Sequence, residues 1–195
     1  MSSDPTTSPV PLDVEHTVDS ADSTLHNPQR AVIALGSNLG NRLETLQGAV
    51  DALEDTPGVR VTAVSPVYET EAVGGPAGQP SYFNAVVVLR TTLGPGSLLE
   101  RANAVEDAFS RTREVRWGPR TLDVDIVAYD GVVSDTAELT LPHPRAHERA
   151  FVLAPWNDAE PEAELPGRGP VAALLKEVDT EGVRRRDDLD LRLPE

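Results

Sequence analysis

Residues 121 to 133, "TLDVDIVAYDGVV", decide the interpretation of the fold, because they combine a strand pattern with paired carboxylates. Apolar residues, among them Val124 and Ile126, alternate with Asp123 and Asp125, and successive side chains of a strand point to opposite faces. The apolar side chains are therefore expected in the core, with both aspartates projecting together from the other face. An Asp-Gly pair after the strand predicts a tight turn into another short strand.

Strand and helix patterns alternate along the rest of the chain. The predicted strands cover 31–36, 59–70 and 84–92, and the predicted helices cover 41–55, a segment opened by a capping box at Ser97 and Glu100, and 171–178. The order β-α-β-β-α-β is typical of the ferredoxin-like α+β fold, an antiparallel sheet with helices packed on one face. That topology alone assigns no function.

The two ends of the chain differ in composition from its centre. Residues 1–29 are rich in Ser, Thr, Asp and Pro and contain no Lys or Arg, so we expect a disordered acidic tail. A single folded domain is expected over 30–180. The charged residues 181–195 are expected to form a loose C-terminal tail.

The overall charge limits the kinds of ligand. The 195 residues carry a formal net charge of −15, which disfavours binding nucleic acid over a broad face, because phosphate polymers require positive potential. No apolar run reaches the roughly 18 residues of a membrane span, and the first residues do not resemble a signal peptide. The absence of cysteine excludes disulfides and thiolate metal sites, and a cytoplasmic protein is the simplest interpretation.

An arginine cluster precedes the paired aspartates and comprises Arg111, Arg113, Arg116 and Arg120. Only one of the 17 basic residues is a lysine, so a phosphate site must rely on arginine, whose planar fork binds phosphate oxygens bidentately. The alternative is a set of surface ion pairs, but these contribute little stability, so a ligand site explains the cluster better. Trp117 either stacks on a ligand ring or covers the core, and the core role is favoured.

Asp123 and Asp125 would repel each other unless a cation lay between them. Two aspartates completed by phosphates and water are a common way of holding magnesium. A bare D-x-D is more often the solvated face of a strand, and the arginine cluster is what favours a metal site here. Zinc is disfavoured, because Pro144 separates His143 from His147 and nothing nearby resembles a third ligand. The loop "GSNLGNR" lacks the Lys-Ser/Thr ending of a P-loop.

Four blocks of sequence together support a family assignment. They are "ALGSNLGNR" (34–42), "SPVYET" followed by "GQPSYFNAVV" (65–70 and 78–87), "RWGPRTLDVDIV" (116–127) and "LTLPHPRAHERAFVLAPW" (139–156). In this order and at nearly this spacing, they resemble the 6-hydroxymethyl-7,8-dihydropterin pyrophosphokinase family of the folate pathway. The resemblance extends over about residues 31–178.

The resemblance implies a monomeric ferredoxin-like enzyme that binds ATP and a pterin side by side. The terminal pyrophosphoryl group of ATP would pass to the pterin 6-hydroxymethyl oxygen, with release of AMP. Two magnesium ions held by Asp123 and Asp125 would bridge the phosphates, and these aspartates, Arg111 and Arg120 would be the catalytic residues. No nucleic acid or membrane partner is expected.

The resemblance also implies two sets of binding residues. Those of the ATP site are Asn103, Glu106, Arg111, Arg113, Trp117, Arg120, Ile126, Leu139, Thr140, His143 and Arg149. Those of the pterin site are Thr70, Val73, Tyr82, Asn84, Trp117 and Phe151. Two aromatic faces suit a flat heterocycle, and an asparagine offers both a donor and an acceptor to its amide-like edge.

Three positions depart from the family pattern. Glu71 stands where a proline is frequent, Asn103 where a glutamine is common, and Glu114 where a lysine is often found. The paired aspartates are unaffected by these changes.

Two other classes of protein remain as alternatives. A nucleotide-sugar transferase would use the D-x-D pair to bind magnesium, but it would need a larger α/β domain with a parallel sheet. A ferredoxin-like ligand-sensing module would need neither magnesium carboxylates nor an arginine cluster, so both features would be unexplained.

Overall fold

The structure, a computed structural model, describes residues 27–71, 78–110 and 122–195. Most of the predicted acidic tail lies outside the described residues, as do five predicted site residues: Val73, Arg111, Arg113, Trp117 and Arg120. Among the helices described, each is too short or too polar to span a lipid bilayer.

An antiparallel sheet of six strands lies at the centre of the described structure. Its strands are β1 (Gln29–Ser37), β2 (Val59–Val64), β3 (Val67–Thr70), β4 (Tyr82–Thr91), β5 (Asp123–Tyr129) and β10 (Val183–Arg186). Their order is β10-β3-β4-β1-β5, and β2 pairs with the other half of the β4 edge that β3 occupies. Strands β1 to β5 with their intervening helices give the predicted ferredoxin-like order.

Short strand pairs lie outside the main sheet in the part of the chain that the structure describes. One pair joins β6 (Ser134–Asp135) to β7 (Thr140–Leu141), and the other joins β8 (Glu164–Leu165) to β9 (Gly169–Pro170). A short strand does follow the Asp-Gly turn, but it is Ser134–Asp135 and not residues 132–133, and it pairs with β7.

Helices cover both faces of the sheet. The first face carries α1 (Arg42–Glu54) and α2 (Pro95–Ser110), and the second carries α3 (Ala150–Ala159) and α4 (Val171–Glu177). The sequence predicted helices on one face only, so that part of the fold prediction is wrong, although α4 itself was expected as a helix over 171–178. The second pair is possible because β1 and β4 are apolar on both faces, as fully buried strands are. Val32 and Val86, for example, pack against α3.

Strand 59–70, predicted as a single element, is divided at Ser65 and Pro66. Proline cannot donate to the ladder. Ser65 keeps the neighbouring strand attached, because its N–H donates to the Val86 carbonyl at 2.9 Å and its Oγ accepts from the Val86 N–H at 2.8 Å. The break lets β2 and β3 follow the same edge of β4 in two segments.

The C-terminal residues predicted to be loose are ordered, so that prediction is wrong. Val183–Arg186 form β10, which pairs with β3, and Leu189 packs on the core with Leu191. Gln47 of α1 holds the end of the chain, because its side chain bonds both the N–H and the carbonyl of Arg192, at 2.8 and 3.1 Å. The high charge of this segment is not typical of a strand, but Arg184 and Arg186 both form ion pairs with Glu69 of β3.

Candidate active site

A cavity of about 1010 Å³ opens on the second face of the sheet, beyond the start of α3. Its floor is the end of β1, where side chains on this face become smaller from Val32 to Ala34 to Gly36. Residues that line it are Ala34, Leu35, Gly36, Thr70, Glu71, Tyr82, Asn84, Asp123, Asp125, Arg145, Glu148, Arg149, Ala150, Phe151, Val152, Asp179, Glu181, Gly182 and Val183. Seven predicted site residues are among them.

Asp123 and Asp125 are the first and third residues of β5, and both line this cavity. They lie opposite Gly36 and Ala34 of β1. Val124, between them, is 3% exposed and belongs to the core on the opposite face, as the alternation predicted. Its N–H donates to Glu106 Oε2 at 3.3 Å, which fixes the start of the strand to α2.

The two aspartates are a suitable but incomplete donor set for a hard cation. Among the described residues, no group of three or more His, Cys, Asp and Glu side chains is arranged to hold a metal ion. Two carboxylates leave most positions around an ion for phosphate oxygens and water, which is how magnesium is usually held with a nucleotide.

His143 is within range of the charge of Asp125, and its ring is held in one tautomer. Its Nδ1 accepts a hydrogen bond from the Arg145 N–H at 3.2 Å, so the ring proton is on Nε2. Its own N–H donates to the Val127 carbonyl at 2.8 Å, which ties it to β5. Burial lowers the pKa of His143, although the charge of Asp125 opposes the shift, so the ring is neutral at pH 7.

A second group of side chains lines the cavity on the β3–β4 side of β1. Asn84 is 6% exposed, and its Nδ2 donates to Thr70 Oγ1 at 2.8 Å. This bond fixes the orientation of the carboxamide. Tyr82 lies directly opposite Thr70 in the ladder. The predicted pterin residues Thr70, Tyr82 and Asn84 are therefore adjacent.

Phe151 and Arg149 border the cavity at the start of α3. The Arg149 guanidinium lies 5.6 Å from the centroid of the Phe151 ring, within the range of a cation–π interaction. The cavity thus has an aromatic face on one wall with a positive charge beside it.

Besides His143, five other predicted site residues are described but do not line the cavity. Asn103 is exposed on α2 and Glu106 bonds β5, while Leu139 and Thr140 lie at the β6–β7 pair. Ile126 is 4% exposed and its side chain belongs to the core, so we expect any ligand contact it makes to come from its backbone.

Some cavity residues were not predicted from the sequence. The charged ones are Glu71, Arg145, Glu148, Asp179 and Glu181. Asp179 follows the helix predicted over 171–178 and Glu181 begins the predicted tail, and the pairing of β10 with β3 brings both to the cavity. Gly36 lay inside a recognised block without an assigned role.

Comparison with known proteins supports a family assignment. A family model described as 7,8-dihydro-6-hydroxymethylpterin-pyrophosphokinase (HPPK) matches residues 32–161. The chain is 43% identical over 157 residues to 2-amino-4-hydroxy-6-hydroxymethyldihydropteridine pyrophosphokinase of Pseudomonas aeruginosa, covering 80% of this chain and 96% of that protein. The protein of the same name from Bacillus subtilis is 45% identical over 154 residues, covering 79% and 88%.

Solved structures show the same fold at lower sequence identity. A crystal structure of wild-type Plasmodium falciparum HPPK-DHPS with SDX-DHP matches with a TM-score of 0.60 at 14% identity, covering 77% of this chain. An HPPK-DHPS structure in complex with substrates matches with a TM-score of 0.60 at 13% identity. This chain spans 44% and 43% of those two longer chains, respectively. By the family model and by its identity to full-length relatives, the chain belongs to the 7,8-dihydro-6-hydroxymethylpterin-pyrophosphokinase family.

Proposed function

We propose that this protein transfers pyrophosphate from ATP to hydroxymethyldihydropterin, giving AMP and the pterin diphosphate in tetrahydrofolate biosynthesis. The observation that carries the proposal is the arrangement of Asn84 and Asp123 on either side of β1, lining one cavity, in a chain of this family. A group that can bind a pterin edge and a group that can bind a metal–phosphate complex thus face the same space.

The reaction needs one bond to form and one to break. The hydroxymethyl oxygen attacks the β-phosphorus of ATP, and the bond from that phosphorus to the oxygen it shares with the α-phosphate breaks. The electron pair leaves with AMP, and the hydroxyl proton passes to solvent. Such transfers depend mainly on positioning and on neutralising charge, with little covalent help from the protein.

Asp123 and Asp125 would hold magnesium, and we propose two ions. Their carboxylate oxygens suit this hard cation, and the missing ligands would come from the phosphates and water. When bound, magnesium neutralises phosphate charge. The contribution of the chain is to keep both carboxylates on one face of a strand whose other face is buried.

The pterin would lie against Phe151, and Asn84 would form hydrogen bonds with its amide-like edge. The bond from Asn84 Nδ2 to Thr70 leaves the carboxamide in one orientation before any ligand arrives, which lowers the entropy cost of binding. Trp117 would supply the second aromatic face. Its role stays a prediction, as do those of Val73 and the arginines at 111, 113 and 120.

The nucleotide would approach from the side of Arg149 and His143. Arg149 offers a charged donor to phosphate, and neutral His143 offers its Nε2–H without adding charge. The roles proposed for Asn103, Glu106, Ile126, Leu139 and Thr140 rest on the family resemblance alone. The monomeric state and the cytoplasmic location also stay predictions.

The test is product analysis by mass spectrometry after incubation with ATP, magnesium and the hydroxymethyl pterin. AMP and the pterin diphosphate should appear together in equal amounts and only when all three components are present. Release of ADP, or consumption of ATP without a diphosphorylated pterin, would reject the proposal. Incubation with UDP- or GDP-sugars tests the transferase alternative, which predicts release of the nucleoside diphosphate.

A further inference from the structure

Three residues form a row across the sheet beneath the cavity. Gly36 of β1 lies directly opposite Asn84 of β4 on one side and directly opposite Asp123 of β5 on the other. Residues directly opposite in an antiparallel pair share a face, and neighbouring strands lie about 4.8 Å apart, so the row is about 10 Å long. All three residues line the cavity.

Gly36 leaves the middle of this row without a side chain. A Cβ atom at this position would stand 3.2 Å from Asn84 Oδ1 and 3.8 Å from Tyr82 Cδ1. The first distance is shorter than an ordinary van der Waals contact, so an added methyl group would press on the carboxamide. That carboxamide has little room to yield, because its Nδ2 is bonded to Thr70.

The backbone does not require glycine at position 36. The residue lies within β1, paired on both sides, and it is not among the glycines with positive φ. Glycine inside a strand costs about 0.5–1 kcal/mol relative to alanine. A reason other than conformation is therefore needed, and the close approach to Asn84 points to the space itself.

We propose that Gly36 determines how the pterin acceptor fits. Because Gly36 has no side chain, it leaves a space above β1. Through this space the 6-hydroxymethyl arm of the pterin reaches from Asn84 to the phosphates held at Asp123. This inference rests on the proposed function. The attacking oxygen must come within about 3–3.5 Å of phosphorus, and a misplacement of about 1 Å reduces such rates on the order of 100-fold. A methyl group at position 36, on the floor of the cavity, would displace both the 6-hydroxymethyl arm and the Asn84 carboxamide that anchors the pterin.

The proposal predicts that Gly36→Ala impairs the use of the pterin but leaves binding of the nucleotide nearly unchanged. In steady-state kinetics, kcat/KM for the pterin should fall by about 10- to 100-fold. The dissociation constant of a magnesium complex of a non-hydrolysable ATP analogue, measured by calorimetry, should stay within about twofold, because the added Cβ has no atom of Asp123 or Asp125 within 4 Å. The matched control is Gly96→Ala in the first turn of α2, where an added Cβ meets nothing within 4 Å; it should behave as wild type in both measurements.

A double variant keeps the test valid even if the single one folds poorly. In an Asn84→Ser background there is no carboxamide to displace, so Gly36→Ala should lower pterin kcat/KM by less than it does in the wild-type background, and the remaining loss comes from displacement of the arm. The inference would be overturned if Gly36→Ala had wild-type pterin kinetics, if it lost nucleotide affinity equally, or if its effect were no smaller in the Asn84→Ser background. Failure of the wild-type protein to form pterin diphosphate would instead reject the proposed function, so the two failures are distinguishable.

Discussion

The guanidinium of Arg42 lies 3.7 Å from the centroid of the Phe83 ring. Its Nη1 also donates to the carbonyl and to the Oγ of Ser81, each at 2.8 Å. These contacts join the start of α1 to the start of β4. Since Tyr82 and Asn84 flank Phe83 and line the cavity from the other face of the sheet, Arg42 fixes the segment that presents them.

Arg42→Ala is expected to raise the KM for the pterin and to leave that for ATP nearly unchanged. Loss of a hydrogen bond from a charged group costs about 1.5–3 kcal/mol, and 1.4 kcal/mol corresponds to about a tenfold change in affinity. Arg42→Lys keeps a donor for Ser81 but loses the planar contact with Phe83, so its effect should be intermediate. Steady-state kinetics with each substrate varied in turn measure the difference.

The control for this variant is Arg60→Ala, at an exposed position of β2 away from the cavity. It should leave both KM values unchanged. A rise in the KM for ATP with Arg42→Ala, and none in that for the pterin, would contradict the assignment of Tyr82 and Asn84 to the pterin.

Asp123→Asn should greatly slow formation of AMP while the protein stays folded. The neutral amide keeps the size of the side chain but removes a charged ligand for magnesium, and loss of comparable electrostatic stabilisation reduces kcat by on the order of 100- to 1,000-fold. The half-buried carboxylate lies at a strand end beside the cavity, so the melting temperature should change little. Product assays and thermal denaturation measure the two effects.

Asp135→Asn is the matched control, because it makes the same change at an exposed position of β6. It should retain full activity. Near-normal turnover by Asp123→Asn would remove the proposed metal-binding role of the D-x-D pair.

The sequence predicted those elements that local patterns determine. Alternation placed Asp123 and Asp125 on one face, and helical spacing placed α1 within a residue at each end. The predicted start of α2 was wrong. The helix begins at Pro95 and not at the capping box assigned to Ser97. Proline suits a first helical position because no intrahelical partner for its N–H is needed there.

Features that depend on long-range pairing were not predictable from local patterns. The strand Val183–Arg186 is rich in arginine and looks solvated until it pairs with β3, where Arg186 bonds Glu69 at 2.8 Å. The cavity wall formed by Asp179 and Glu181 follows from that pairing. The role inferred for Gly36 likewise depends on its neighbours across the sheet, which no local pattern reveals.

Glu160→Gln should destabilise the fold at neutral pH and flatten its response to acid. Arg30 Nε donates to Glu160 Oε2 at 2.7 Å, and the indole of fully buried Trp156 donates to Oε1 at 3.0 Å. Burial alone would raise the pKa of Glu160, but the hydrogen bonds from Arg30 and Trp156 outweigh it and lower the pKa below its ordinary value of 4.5. Loss of the charge should cost about 1–3 kcal/mol.

The sign of the pH effect follows from that lowered pKa. A carboxyl whose pKa is lower in the folded state stabilises the fold above its unfolded value, and the stabilisation is lost as the pH falls through the folded value. In denaturant titrations repeated at decreasing pH below about 5, the free energy of unfolding should therefore fall more for the wild type than for Glu160→Gln. Glu138→Gln, at an exposed position, should follow the wild type; parallel curves for Glu160→Gln and wild type would refute the prediction.

Gly48→Ala should destabilise the packing of α1 on α2, although alanine is the better helix former by about 1 kcal/mol. A Cβ at position 48 would stand 2.6 Å from Cζ and 2.8 Å from Cε1 of Phe109, so the ring must move. Such overpacking costs about 1–3 kcal/mol. The measurement is a double-mutant cycle by urea denaturation with Phe109→Ala. If the contact is responsible, Gly48→Ala will cost stability in the wild-type background and will be neutral or stabilising once the ring is removed. Equal changes in both backgrounds would show that Phe109 does not impose the glycine.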